Sequence, residues 1–300
     1  MTTVAAFLLF LAAFLVVWGV IYSLMPLASR SRRVASRLFG GTLMKITPLR
    51  DAIARSQQKS TWAAYLPAAI IAVAGLAIAL FAGVQFLDLA EAFRHANPSV
   101  VRLDHGVHDW MQTHRSHPAT VLFTSFTVLG SPLVIGAIVL LVAVLLFLRH
   151  RSRWAGYLLL TAGGGAALNE DLKYFFARQR PDLAVALRRA SGYSFPSGHS
   201  MGSVVVFGAF AYLAWRAFTD WRLRSATFAF CFCCVIAIAA SRIYLGVHWT
   251  TDVFAGISAG TLWVATTTCA YEAFRRIHRL REGCVTATEP APGVGLNPKS

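Results

Sequence analysis

The chain is short of charge, and of acid above all. Of its 300 residues only 14% are charged, and 13 are Asp or Glu. A soluble domain carries about 25% charged residues, so this balance argues against a water-soluble protein. Cysteine is scarce too. Cys231, Cys233, Cys234 and Cys269 lie inside apolar runs and Cys284 lies near the C-terminal end. The C-x-x-C of Cys231 and Cys234 sits in an apolar stretch, where free cysteine behaves as a small hydrophobe. It reads as packing rather than redox or metal chemistry, and no disulfide is expected. No Gly-Lys-Ser/Thr follows the run Gly163, Gly164, Gly165, and no strand precedes it. That excludes a nucleotide phosphate loop. These glycines, with Gly256 and Gly260, are expected where membrane helices approach closely. There is no internal repeat, and the charges of the apolar runs lie toward their ends, as at Lys173, Arg242 and Asp252. Both features argue against a transporter built from inverted repeats.

What the chain has instead is hydrophobic length: 56% of its residues are hydrophobic. Runs of about 20 apolar residues read as membrane-spanning helices. Seven are found, at residues 4–26, 63–87, 119–148, 154–176, 200–218, 225–245 and 252–273. The sequence therefore predicts an all-α, polytopic membrane helix bundle. The first run lacks a basic leading region and a clean cleavage site, so it reads as a retained anchor rather than a signal peptide.

The formal net charge is +15, which by itself would suit nucleic acid. Its distribution argues otherwise, and no nucleic-acid partner is expected. Most of the basic residues fall on alternate loops. They lie in residues 28–62, at Arg149, Arg151 and Arg153, at Arg216, Arg222 and Arg224, and after the last run at Arg275, Arg276, Arg279, Arg281 and Lys299. The positive-inside rule puts these loops in the cytoplasm. Residues 28–62 read either as short amphipathic pieces on the anionic inner leaflet or as an ordinary cytoplasmic loop. Residues 88–118 carry Asp104, His105, His108, Asp109, His114 and His117. Spacings of three can form a metal site, but no closed ligand set is evident. The segment is expected to be an interfacial helix, with Trp110 and Met111 toward lipid and the polar residues toward water.

Three segments carry chemistry, and all fall on the opposite, extracytoplasmic side. One runs from Lys173 to Arg180 and Pro181. One is Pro196, Ser197, Gly198, His199. The last is Ser241 and Arg242, then His248 and Asp252. Arg offers a planar fork for phosphate oxygens and Lys a point charge, so Lys173, Arg180 and Arg242 make a phosphate cradle. Pro181 is expected to stop the fourth spanning helix just after Arg180. Ser197 is a candidate N-cap, and Gly198 lets the backbone approach an anion at a helix N-terminus. His199 in the following turn can protonate a leaving group. His248 and Asp252, four apart, are expected on one helix face. There Asp252 orients the imidazole as a nucleophile. A phosphate held at the ends of apolar runs points to a lipid phosphate as substrate, with membrane lipids around it.

These residues resemble the type 2 phosphatidic acid phosphatase (PAP2) superfamily. Its pattern is K-x6-R-P, P-S-G-H and S-R-x5-H-x3-D, and the chain matches at every position. The resemblance covers roughly residues 63–274. It implies a six-helix membrane core, here with an extra N-terminal transmembrane helix, and a metal-independent lipid phosphatase without cofactor. It implies His248 as nucleophile, His199 as acid, and Lys173, Arg180, Ser197, Gly198 and Arg242 as phosphate binders. The run Gly-Tyr-Ser-Phe before Pro196 is most similar to bacterial members acting on undecaprenyl diphosphate, phosphatidylglycerophosphate or phosphatidic acid. The expected organisation is an anchor at 1–27, a basic loop at 28–62, the phosphatase domain at 63–274 and a disordered cytoplasmic tail at 275–300.

Three rivals share parts of this inventory. A lipid-to-lipid phosphotransferase would use the same residues with a second lipid in place of water. A vanadium-dependent haloperoxidase has a similar cradle but is soluble, against the seven apolar runs. A non-catalytic lipid-binding or transport protein would not need the full catalytic set. Glu170 and Asp171, beside Lys173, point to different helix faces and make a poor metal site.

Overall fold

The computed structural model describes residues 61–181, 186–188 and 190–287. The expected anchor at 1–27 and the basic loop up to residue 60 lie outside the described residues. What is described is all helical. In chain order the helices are α1 (Thr61–Arg94), α2 (Pro98–Thr113), α3 (His117–Leu129), α4 (Pro132–Leu148), α5 (Ser152–Phe176), α6 (Gly198–Ala217), α7 (Trp221–Tyr244) and α8 (Thr250–Ala287).

Local chemistry sets the boundaries. Asn97, Ser116 and Ser131 cap α2, α3 and α4 with side-chain oxygens that accept from Ser99, Ala119 and Val134 N–H groups. A proline stands in the first or second position of each of these helices, where its missing N–H is no loss. Asp220 caps α7 by accepting from the Arg222 N–H at 2.8 Å.

The apolar run at 119–148 is not one straight helix. It breaks at Gly130, Ser131 and Pro132 into α3 and α4, bent by 47°. Proline cannot donate to the preceding turn and disfavours helical geometry in the residue before it. By length and composition, Val73–Arg94, Gly198–Ala217, Trp221–Tyr244 and Thr250–His278 can each cross a membrane, and the bent pair makes a fifth candidate. Helix α5 is 25 residues long. Its glycines and its polar end at Asn169, Glu170, Asp171 and Lys173 keep it out of that group. It nevertheless packs against α4, α6 and α8 as part of the same bundle. Helix α8 runs past residue 274 to Ala287.

Helix α6 is the centre, in contact with α4, α5, α7 and α8. Its Met201, Val205 and Ala209 are fully buried or nearly so. It meets α8 closely because Gly256 and Gly260 face it. A Cβ on Gly260 would stand 2.9 Å from the Met201 carbonyl oxygen. Gly164 and Gly165 likewise make room for Trp263, whereas Gly163 has open space beside it and is not needed for packing. Cys231 and Cys234 pack with Phe207 and Ile238, as a packing role requires. Large apolar side chains such as Leu133, Leu160 and Phe147 are exposed on the outer surface of the bundle, which suits lipid contact.

Candidate active site

The three motifs converge at one end of the bundle. Lys173 is in the last turn of α5, His199 in the first turn of α6, Arg242 in the last turn of α7 and Asp252 in the first turn of α8. Four helix ends thus meet around the linking segments that hold Arg180 and His248.

Helix α5 ends at Phe176, where Ala177 takes a left-handed conformation with φ 46°. The expected stop at Pro181 is therefore corrected: the chain has left the helix before Arg178. This frees Arg178 and Arg180 to turn inward. Arg180 is clasped by backbone carbonyls, donating to Ser191, Gly192, Tyr193 and Val247. Its Nη1 also lies 3.1 Å from His248 Nε2.

Helix α8 begins at Thr250, so His248 lies before it, in the turn after Gly246. The expectation that His248 and Asp252 share a helix face is corrected. The two are still brought together, with Nδ1 and Oδ2 3.4 Å apart and both side chains almost wholly buried. That separation is long for a hydrogen bond. The other contacts of Asp252 are shorter: Oδ2 accepts from the Trp249 N–H at 2.9 Å and Oδ1 from Arg178 at 2.6 Å. Since Arg180 can only donate, its contact requires a lone pair on His248 Nε2, which puts the ring proton on Nδ1, facing Asp252.

Ser197 occupies the N-cap position of α6, but its hydroxyl makes no capping bond. It accepts instead from Ser200 Oγ at 3.1 Å, while its N–H donates to the Asp252 carbonyl at 3.0 Å. That backbone bond ties the start of α6 to the start of α8. A Cβ on Gly198 would stand 2.9 Å from Asn169 Oδ1 and 3.3 Å from Lys173 Nζ, so glycine is required for this close approach. Lys173 pairs with Glu170 at 2.7 Å; Glu170 is 59% exposed, so water weakens its hold. Arg242 is 6% exposed. Its Nη1 donates to Thr127 at 2.5 Å, and its Nε is buried with no hydrogen-bond partner among the described residues. His199 lies within electrostatic reach of Arg242, His248, Lys173 and Arg188. For His248, burial comes first and then Arg242, Arg180 and Lys173; together they hold the imidazole well below its ordinary range.

The interfacial reading of residues 88–118 is corrected in part. Trp110 is exposed, as expected, but Asp104 and His108 are buried. Asp104 accepts from Arg178, from the Thr251 N–H and from the Thr251 hydroxyl. The polar face of α2 therefore points into the site. Among the described residues no group of three or more His, Cys, Asp and Glu is placed to hold a metal ion.

Sequence reasoning missed Asp104, Thr127, Arg178 and Thr251. Arg178 stood inside the first motif, two residues before Arg180. Asp104 and His108 stood four apart on one helical face. Thr127 gave no signal of its own, because a threonine in an apolar run looks like any other.

The model of the PAP2 superfamily matches residues 154–276. Phosphatidylglycerophosphatase B of Bacillus subtilis is 33% identical over 180 residues, which is 59% of this chain and 86% of that protein. An undecaprenyl-diphosphatase of Sulfolobus acidocaldarius is 29% identical over 147 residues, 47% of this chain and 66% of that one. Among solved structures, a transmembrane PAP2-type phosphatidylglycerolphosphate phosphatase from Bacillus subtilis superposes with a TM-score of 0.60 at 29% identity. It covers 66% of this chain and 96% of that one. With its motifs gathered at one end of a helical bundle and a relative matched over most of its length, this multi-pass membrane protein belongs to the PAP2 superfamily.

Proposed function

We propose that the chain is a metal-independent membrane phosphatase that hydrolyses a lipid phosphate or diphosphate at the extracytoplasmic face, through a phosphohistidine. The observation that carries this is the placement of His248, buried between Asp252 and Arg180, with His199, Arg242 and Lys173 within electrostatic reach. The names of the relatives, a phosphatidylglycerophosphatase and an undecaprenyl-diphosphatase, support a lipid-linked substrate. Residues 63–274 are the catalytic unit in this reading.

Each group has a task in this reading. Phosphate oxygens take donors from Arg242, Arg180, Lys173, Ser197 and the Gly198 N–H at the α6 N-terminus. The buried, unpartnered Arg242 Nε is a donor waiting for an oxygen. Arg180 turns its Nη1 hydrogen bond from His248 Nε2 to a phosphate oxygen, and the freed Nε2 attacks phosphorus, forming an N–P bond as the bond to the leaving oxygen breaks. His199 gives its proton to that oxygen, which departs as a lipid alcohol or a lipid monophosphate. His199 then takes a proton from water as the water oxygen attacks phosphorus. The N–P bond breaks, inorganic phosphate leaves and both imidazoles are restored. The cations stabilise the charge in transfer, the larger part of catalysis in phosphoryl chemistry. Asp252 holds the Nδ1 proton throughout.

The side of the membrane follows from charge. Arg149, Arg151, Arg153, Arg216, Arg222 and Arg224 lie at the ends of α4, α5, α6 and α7 opposite the site, and the positive-inside rule makes that end cytoplasmic.

The test offers purified full-length protein phosphatidic acid, phosphatidylglycerophosphate and undecaprenyl diphosphate in detergent micelles with EDTA present. Phosphate release from at least one is expected, with inhibition by vanadate. Labelled substrate quenched in alkaline denaturant leaves acid-labile phosphate on the protein, and none on His248→Ala. Release that needs a specific divalent metal, or turnover by His248→Ala, overturns the reading.

A further inference from the structure

The reaction above gives Arg178 no task, yet Arg178 is the cation near the site that is held by two buried carboxylates. Its Nη1 donates to Asp252 Oδ1 at 2.6 Å and to Thr251 Oγ1 at 2.7 Å. Its Nη2 donates to Asp104 Oδ2 at 2.8 Å. Asp104 is 2% exposed, and Thr251 holds it through both its N–H at 2.9 Å and its hydroxyl at 2.6 Å. The guanidinium carbon lies 4.6 Å from the Phe93 ring centre and 5.8 Å from that of Trp249. The planar fork is thus fixed at its donors by two carboxylates and packed by two rings. A guanidinium suits this place because it can serve two carboxylates from one plane; an ammonium offers a point charge without that geometry.

The consequence falls on Asp252. Its Oδ1 is taken by Arg178, so Oδ2 is the oxygen left to face His248 Nδ1 at 3.4 Å. Any rotation of the carboxylate would break the Arg178 contact or the Trp249 N–H contact on Oδ2. Both terminal nitrogens of Arg178 are committed to these partners, in contrast to the unpartnered Nε of Arg242.

We infer that Arg178, anchored by Asp104 of α2, is a positioning residue: it fixes the Asp252 carboxylate so that Oδ2 faces His248 Nδ1 and favours the tautomer that leaves Nε2 unprotonated for attack on phosphorus. It acts through Asp252 and does not touch the phosphate. The inference rests on His248 as the nucleophile. It also gives α2 a task, since this helix supplies the anchor. A cavity of about 410 Å³, lined by Phe93, Asp104, His105, Arg178 and Trp249 among others, adjoins the guanidinium. A small cation can reach the Arg178 position through it.

The experiment is a double-mutant cycle on the full-length protein in micelles, using whichever of the three lipids named above is hydrolysed fastest. Arg178→Gln is expected to lower kcat by about 10-fold to 100-fold with KM unchanged, the scale of a misplaced catalytic group. Asp104→Asn gives a smaller loss in kcat, Arg178→Lys an intermediate one, and added guanidinium ion restores part of kcat to Arg178→Ala. In an Asp252→Asn background, Arg178→Gln costs no more than about twofold further, because residues acting through one another are not additive. Full additivity in that background, or a rise in KM with kcat unchanged, overturns the inference. If Arg178→Gln fails to give a monodisperse, folded protein, Asp104→Asn takes its place in the same cycle. His248→Ala separates the two levels: turnover by that variant sinks the nucleophile assignment, whereas its inactivity with an additive Arg178 and Asp252 cycle sinks the positioning role alone.

Discussion

His248 lies outside helix α8, yet its Nδ1 stands 3.4 Å from Oδ2 of Asp252 in that helix's first turn. The same Oδ2 accepts the Trp249 N–H at 2.9 Å. One carboxylate therefore satisfies an orphan donor at the helix start and faces the imidazole in the turn before it. An acidic side chain is favoured there by the positive end of the helix, so the charge that faces His248 also stabilises the helix that carries it.

That double use predicts a graded effect. Asp252→Asn keeps the shape but removes the charge that fixes the tautomer. The kcat is expected to fall by about 10²-fold to 10⁴-fold, yet to remain measurable, while His248→Ala has none. Steady-state phosphate release from both variants checks this. Equal, complete inactivity would show Asp252 to be more than an orienting group.

Acid tolerance is the second expectation. An ordinary imidazole titrates near about 6.5. Burial and then Arg242, Arg180 and Lys173 hold His248 well below that. The folded protein keeps His248, the proposed nucleophile, unprotonated, so the acid limb of kcat/KM is not expected to reflect His248 titrating at about 6.5. Stability has the matching sign. The unfolded chain binds a proton that the folded one does not, so this contribution is intact above about pH 6.5 and is lost as pH falls below it. Thermal unfolding followed across that range is expected to show the acid loss in the parent and less of it in His248→Gln.

Gly198→Ala tests the close approach at the start of α6. The new methyl would stand 2.9 Å from Asn169 Oδ1 and 3.3 Å from Lys173 Nζ. It pushes both away and crowds the N–H groups proposed to bind phosphate. A loss of about 10-fold or more in kcat/KM is expected, on the same misplacement scale, with vanadate inhibition weakened in parallel. Unchanged vanadate affinity would mean that phosphate does not sit here.

Thr127→Val tests the seat of Arg242. The hydroxyl is fully buried and accepts from Arg242 Nη1 at 2.5 Å. Valine keeps the volume and leaves that donor unpaired, a loss of about 1–3 kcal/mol. Lower thermal stability is expected, together with weaker phosphate or vanadate inhibition. Stability like that of the parent would show that the bond is not needed.

Topology is checked by labelling. Cysteine introduced at Arg151 and at Arg188 is expected to react with an impermeant maleimide from opposite faces of the membrane. Reaction from the same face would overturn the placement of the site outside.

The segments that the fold brings together were legible as a candidate site because phosphate chemistry narrows the choice of residue types. Lys173, Arg180, His199, Arg242, His248 and Asp252 could be read from charge, spacing and position at the ends of apolar runs. The helices themselves were legible because about 20 apolar residues have few alternatives to a membrane-spanning helix. The break at Gly130, Ser131 and Pro132 was written in the sequence too, as a stop followed by a cap, but hydropathy averages across such a break.

Tertiary structure alone decided who holds whom. No spacing rule links Asp104 to Arg178 and Thr251, or Thr127 to Arg242, because those partners are more than 70 residues apart in the chain and meet only when the helices pack. Nor does sequence say that α5 ends at Phe176 or that His248 lies ahead of α8, since where a helix yields to a loop depends on which donors and acceptors the neighbouring elements supply. The sequence determined the chemistry available to this protein. Packing decided its orientation, because a carboxylate or guanidinium buried away from water is stable only where a partner meets it, and that partner comes from another helix.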